Sequence, residues 1–323
     1  MAVYTHISVA EASAFCDALY DLPPVRDLAP IAAGTDNTNY ILHMADKTRY
    51  ILTLFESRMS PARLPGIFTF AEIINDTVIN APAPVRTKTG EGYALLNGKH
   101  AALVRFLSGQ SIHRPDPQHC GQIGGVLAQM HRTAAQSGLH LPPNEFHPAA
   151  MKDLFKTAEP SIHRYDPALV PLITGWLDGF QNTLPLEHTL PRGAVHADLF
   201  PDNVFFEYDK ISGIFDFYFA CTDTFLYDMA VTVNAWCFDE ITGGTFLPGH
   251  FNHFMTAYQQ HRRPTADEKS YFPVMGAYAA LRIALTRLRD YYPDRADIIF
   301  TPRDPAPYIN IVKFHQNYGA TLP

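Results

Sequence analysis

Only four of the 323 residues are cysteine, Cys16, Cys120, Cys221 and Cys237, and no two of them form a C-x-x-C pair. Neither a zinc ribbon nor a disulfide framework is indicated, so the thiols read as reduced. No run of 18 apolar residues occurs, and the amino-terminal MAVYTHISVAEASAF lacks the basic region and apolar core of an export signal. The expectation is a cytoplasmic enzyme of bacterial type with no membrane partner. Basic charge is in short supply as well: 25 Lys and Arg stand against 32 Asp and Glu, a net charge of −7. With no Lys/Arg cluster long enough for a nucleic-acid surface, the partner should be a small molecule. Several catalytic signatures are missing too. There is no G-x-S-x-G and no H-E-x-x-H, and the nearest approach to a P-loop, Gly92 to Lys99, has five residues between its glycines and His100 where Ser or Thr should meet Mg²⁺.

What is present, 47% hydrophobic and 18% charged residues, suits a soluble globular chain with room for one large domain or two lobes. Ser8 is placed to cap a helix over residues 9–20, where Ala12, Phe15, Cys16 and Leu19 recur at helical spacing before Pro23 and Pro24 stop it. Three β-like runs follow at 28–33, 40–44 and 50–55, joined by polar connections at 34–39 and 45–48, a pattern that predicts an antiparallel meander. A helix over 64–80 and strands at 92–96 and 100–107 complete this part. Gly109, Pro115 and Pro117 then break the chain, which sets a boundary near residue 107 and gives lobes of 1–107 and 108–323. Beyond it the pattern is mainly helical, with segments at 118–135, 169–184, 229–238, 251–261, 268–291 and 307–318. His131 has no second His at metal-binding spacing and reads as a packed helix histidine.

The stretch 193–228 carries the chemistry. His196-Ala197-Asp198 is followed after four residues by Asn203, the H-x-D-x-x-x-x-N spacing of a phosphoryl-transfer loop, and Asp216 closes an apolar run. Transfer of a γ-phosphoryl group needs little covalent help; it needs an oriented acceptor hydroxyl and neutralised phosphate charge. Asp198 suits the first task as the acceptor of the hydroxyl proton. Asn203 and Asp216 offer hard oxygen ligands for Mg²⁺. Between them, 204–206 and 213–215 read as a hairpin around a polar tip at 208–212, which would set Asn203 beside Asp216. His196 reads as a structural member of the loop, hydrogen-bonded to backbone near Asp216, and Asp228 as a brace for the loop or a cap for the helix after it.

Three words in this stretch, His196 to Asn203, Ile214-Phe215-Asp216-Phe217 and Tyr227-Asp228-Met229-Ala230, resemble the aminoglycoside phosphotransferase and choline kinase superfamily. Within it, Asp216-Phe217-Tyr218-Phe219-Ala220 and Asn234-Ala235-Trp236-Cys237 are similar to the bacterial homoserine kinases of that fold. The resemblance covers nearly the whole chain, including Tyr50 to Glu56. It implies an α+β, two-lobed, protein-kinase-like fold: an amino-terminal lobe of antiparallel sheet and helix that binds nucleotide, and a larger, mainly helical catalytic lobe. It also implies ATP as co-substrate. The connection holding Gly34, Thr35, Asn37, Thr38 and Asn39 falls where this fold lays a loop over the ATP phosphates, and the strand end with Val104 and Phe106 falls where it binds adenine.

The chain also departs from the kinase pattern. Thr53 stands where many kinases carry a strand lysine, so another cation is needed, with Lys47, Arg49, Arg58 and Arg63 as candidates, or metal and backbone N–H groups carry the phosphate charge alone. That leaves a nucleotide-binding pseudokinase as one alternative and a metal-dependent hydrolase as another. For a kinase, L-homoserine is the acceptor the resemblance implies, to be phosphorylated on its hydroxyl; choline, ethanolamine or an aminoglycoside are the other acceptors. A zwitterion with a carboxylate calls for a cation in the pocket, and the late helix supplies Arg282, Arg287 and Arg289. Arg282 is the candidate for that contact, with Tyr218, Asn234 and Trp236 lining the rest of the acceptor pocket.

Overall fold

The computed structural model describes residues 4–31, 37–56, 60–184, 189–292 and 302–323. The chain divides into two compact units: the first runs through Gly109 and also takes Ser212–Tyr218, and the second holds Gln110–Ile211 and the described residues from Phe219 onward. Gly34, Thr35 and Arg58, named above for phosphate, lie outside the described residues. Among the described residues no helix is long and apolar enough to cross a membrane.

The first unit begins with α1 (Val9–Leu19), whose Ser8 and Glu11 form a reciprocal capping box. Strands β1 (Val25–Ile31), β2 (Asn37–Met44) and β3 (Arg49–Phe55) form the meander, and after α2 (Leu64–Thr77) come β4 (Ala94–Leu96) and β5 (Lys99–Arg105). The sheet order is β1-β2-β3-β5-β4. Alternation along the strands sorts the side chains. Leu52, Leu54, Ala101 and Leu103 pack with Phe15 and Cys16 of α1, whereas Phe55 and Ala102 pack with Leu64 and Phe68 of α2. One finding corrects the sequence reading: β2 starts at Asn37, so Asn37, Thr38 and Asn39 are paired strand residues opposite Phe55, Leu54 and Thr53, not part of a loop.

The second unit begins with α3 (Pro117–Ser137), α4 (Pro148–Tyr165) and α5 (Leu169–Thr183). Helix α4 is absent from the sequence reading because Pro160 interrupts it and only Met151, Ala158 and Ile162 are buried. Next come β6 (Arg192–Val195), β7 (Val204–Glu207), β8 (Lys210–Ile214) and β9 (Cys221–Thr224), with β6 pairing antiparallel to β9 and β7 to β8. The boundary between the units falls within β8. Its hairpin is tighter than expected: strand resumes at Lys210, and the turn is Tyr208 and Asp209 alone, with φ of 49° and 59°. Two consecutive left-handed residues match the right-handed twist of the strands they join.

The helix expected from Met229 begins earlier, as α6 (Phe225–Trp236) capped by Thr224, and the chain then forms the short pair β10 (Phe238–Asp239) and β11 (Thr245–Phe246). The remaining helices are α7 (Pro248–His261), α8 (Ala266–Asp290) and α9 (Ala306–Asn317). From Phe272 to Leu288, α8 is buried on nearly every face, against α4, α6 and α9, which makes it the axis of this unit. Helices α3 and α7 approach closely because Gly124 has no side chain: a Cβ there would sit 2.3 Å from the Phe254 carbonyl oxygen.

Candidate active site

The loop 196–203 leaves β6 and is fixed from below by Asp228, a fully buried residue of α6. Asp228 Oδ1 accepts the Ala197 N–H at 2.7 Å, and Oδ2 accepts the His196 N–H at 3.1 Å. That grip holds Ala197 in the left-handed region, at φ 64°. It is the brace rather than the cap, since Thr224 fills the cap position. A buried chain extends the brace: His131 Nε2 lies 3.0 Å from Asp228 Oδ2, and its Nδ1 lies 2.8 Å from the Tyr258 hydroxyl. Arg262 donates to Tyr258 (2.9 Å) and to Glu268 (2.7 Å), whose other oxygen takes the Thr265 N–H.

The protons distribute in one consistent way. Burial pushes the His131 imidazole below its ordinary value, against the pull of Asp228, so it is neutral. Burial likewise raises the Tyr258 phenol, which stays protonated. For Asp228, burial alone favours the neutral acid, but the hydrogen bond from His131, the neighbouring histidines and the Ala197 N–H outweigh it and hold the carboxyl below its usual range. Thus His131 donates through Nε2 to an Asp228 carboxylate and accepts through Nδ1 from Tyr258, which accepts in turn from Arg262.

On this support sit Asp198 and Asn203. His196 Nδ1 accepts the Asp198 N–H at 3.3 Å, so the ring serves Asp198 itself. Asn203 ends the turn Pro201–Asn203 and donates its amide to the Asp198 carbonyl at 2.8 Å, with a longer approach of 3.4 Å to Asp198 Oδ2. The other carboxylate oxygen, Oδ1, accepts from Arg282 Nη1 at 2.8 Å. Arg282 is 3% exposed and packs against Phe146 and Phe219, 4.4 and 4.8 Å from their centroids. Burial opposes its charge, but Asp198 and Tyr227 more than compensate and raise its pKa. The late-helix arginine expected for an acceptor carboxylate is therefore already paired with Asp198.

Two expected pocket residues are committed elsewhere. Asn234 donates to the Gly276 carbonyl and accepts from His315 Nε2, each at 2.8 Å, at a crossing so close that a Cβ on Gly276 would meet the His315 ring at 2.5 Å. Both ends of its amide are used inside the core. Trp236 donates Nε1–H to the Leu199 carbonyl at 2.9 Å, so it anchors the loop 196–203 and is itself buried. Arg287 pairs with Glu240, and Arg289 with Asp290.

In the first unit, Asp216 follows β8 with a left-handed backbone, φ 65°. Phe217 packs edge-on against Phe70, and Tyr218 against Phe55. A pocket of about 20 Å³, room for one water, is lined by Asp216, Tyr218, Val104, Phe68 and neighbours on α2. Burial raises the Tyr218 phenol above its ordinary value, with a hydrogen bond to Thr53 opposing and the Asp216 charge adding. Thr53 also donates to Asn39 Oδ1 at 2.7 Å, so the residue at the lysine position ties strand to strand. Thr38 accepts the Tyr4 and Thr5 N–H groups and donates to Glu56, which fully occupies its hydroxyl; Asn37 accepts the Glu56 N–H. Lys99, named above only in the rejected P-loop match, pairs with Glu56. Of the proposed cations, Arg49 lies 3.8 Å over the Phe106 ring and Lys47 sits in the β2–β3 turn.

Residues 27–263 match the Phosphotransferase enzyme family, and the chain belongs to that family. Solved structures agree on the fold: an amicoumacin kinase in complex with AMP-PNP, Ca²⁺ and Ami superposes with a TM-score of 0.65 at 15% identity, covering 95% of this chain and 93% of that one. A microcompartment-associated aminopropanol kinase gives 0.61 at 13% identity, over 96% and 94% of the two chains. Within the family the chain is similar to homoserine kinases over its whole length: 37% identical to that of Parvibaculum lavamentivorans over 99% of this chain and 98% of the relative. Against the homoserine kinase of Beijerinckia indica it is 38% identical, over 99% and 97%.

Proposed function

We propose that the chain is an ATP-dependent homoserine kinase, which transfers the γ-phosphoryl group of ATP to the hydroxyl of L-homoserine and supplies O-phospho-L-homoserine for threonine biosynthesis. One observation beyond the whole-length similarity carries this reading: a carboxylate and a buried guanidinium stand together at the catalytic loop. An acceptor bearing both a hydroxyl and a carboxylate fits such a pair, whereas choline or an aminoglycoside, being cationic, calls for acids or aromatic faces alone.

In the reaction Asp198 accepts the hydrogen bond of the acceptor hydroxyl and aims its oxygen. As that oxygen bonds to the γ-phosphorus, the bond from phosphorus to the bridging β-oxygen breaks, ADP leaves with the electron pair, and the hydroxyl proton passes to Asp198. Asn203 and Asp216 are the oxygen donors assigned to Mg²⁺; the amide nitrogen of Asn203 points to Asp198, which leaves its Oδ1 as the ligand atom. When bound, the metal neutralises phosphate charge. Val104 and Phe106, at the end of β5, are assigned to adenine.

The test is an ADP-release assay with L-homoserine, choline, ethanolamine and kanamycin as acceptors. Homoserine should give the highest kcat/KM; good turnover of choline or kanamycin with none of homoserine would overturn the substrate.

A further inference from the structure

The geometry points to Arg282 as a latch on the catalytic carboxylate, one that the carboxylate of the acceptor itself opens. This rests on the homoserine reading and adds to it a mechanism of selection. Three observations converge. Arg282 Nη1 holds Asp198 Oδ1 at 2.8 Å, so in the absence of acceptor one oxygen of the catalytic residue is occupied. Arg282 Nε is buried and, among the described residues, has no hydrogen-bond partner, an unfavourable state until an acceptor atom arrives. Phe146 and Phe219 both lie against the guanidinium, and Phe146 is held through its carbonyl by the Tyr278 hydroxyl at 2.5 Å. The fork is therefore incompletely used.

L-homoserine has the dimensions to use it. Its hydroxyl and carboxylate are separated by three carbons, ~5 Å in the extended chain. With the hydroxyl on Asp198, the carboxylate falls within reach of the guanidinium, where a two-point carboxylate pair matches the fork better than the single Nη1 contact does. The guanidinium turns to the substrate, and Asp198 Oδ1 is freed for the hydroxyl proton. An amino alcohol without the carboxylate binds but leaves the latch shut. Selection is then expressed in turnover more than in affinity, because the missing group acts on the proton acceptor.

The probe is 3-aminopropan-1-ol, homoserine stripped of its carboxylate. Wild-type enzyme should saturate with it but turn it over about 10²-fold more slowly than homoserine, or less. In Arg282→Gln, kcat/KM for homoserine should fall about 10²-fold or more, while kcat for 3-aminopropan-1-ol rises above that of the wild type. A purely structural arginine would lower both. Equal kcat for the two acceptors in the wild type, with all discrimination in KM, would overturn the latch, as would an Arg282→Gln variant in which both acceptors slow together. Even where the variant fails to fold, equal wild-type kcat for the two acceptors still overturns the latch. Wild-type enzyme inert toward homoserine would instead remove the substrate reading on which the latch stands.

Discussion

Asp198 makes contacts on every side: its N–H to His196, its carbonyl to Asn203 and Phe200, its carboxylate to Arg282. Asp198→Asn preserves the shape and removes the proton acceptor, so kcat should fall by roughly 10²- to 10⁴-fold while ATP affinity changes little; the melting temperature should drop, because the buried Arg282 guanidinium loses its counter-charge. Steady-state kinetics beside a nucleotide-binding titration make the check; turnover within a few-fold of wild type would take the role from Asp198. For the metal, Asp216→Ala should raise the Mg²⁺ concentration for half-maximal activity more than Asn203→Ala, because it removes a full charge rather than a neutral oxygen. An Mg²⁺ dependence unchanged in Asp216→Ala would end that assignment. The contact of Asn203 with Asp198 was legible because the loop is local. Arg282 was only half legible: helical periodicity says which face a residue is on, but not that the face meets Asp198, 84 positions away. Asn234 and Trp236 misled for the same reason, since nothing near them in sequence announces Gly276, His315 or Leu199.

At the scale of elements, capping and periodicity located most helices to within a turn: Ser8 caps α1 as its spacing requires, and α5 ends one residue from its expected limit. They failed where the determinant is tertiary. Helix α4 carries a proline and few apolar residues and is held by α8 and α5, while β6 and β9 are four residues each and exist through pairing with one another. The chain from Asp228 through His131, Tyr258 and Arg262 to Glu268 draws on α6, α3, α7 and α8, and no local pattern joins them. Close helix packing can be tested at Gly124. With the Phe254 carbonyl 2.3 Å from any Cβ, Gly124→Ala must part α3 from α7, and overpacking of this kind costs about 1–3 kcal/mol. The urea midpoint should drop accordingly; an unchanged midpoint would mean that the helices separate freely.

For the whole molecule, pH is the lever that reaches both function and stability. Burial pushes the His315 imidazole down from 6.5 to about 4, and it pushes His131 down as well. With the folded value depressed, the unfolded chain binds a proton that the folded chain refuses. The His315 contribution is therefore intact above pH 6.5 and declines as pH falls toward 4, its share being about 3 kcal/mol. His315→Gln, which keeps a donor for Asn234, should flatten part of that slope in urea titrations between pH 4 and 7; an identical slope would exclude His315 as a source.

The most direct test of the central claim follows the phosphorus. In ³¹P NMR of wild-type enzyme with ATP, Mg²⁺ and L-homoserine, a phosphomonoester resonance matching O-phospho-L-homoserine should grow in step with ADP, and it should be nearly absent with Asp198→Asn at the same concentration. Growth of inorganic phosphate in place of the ester, or ester formation undiminished in Asp198→Asn, would contradict the account.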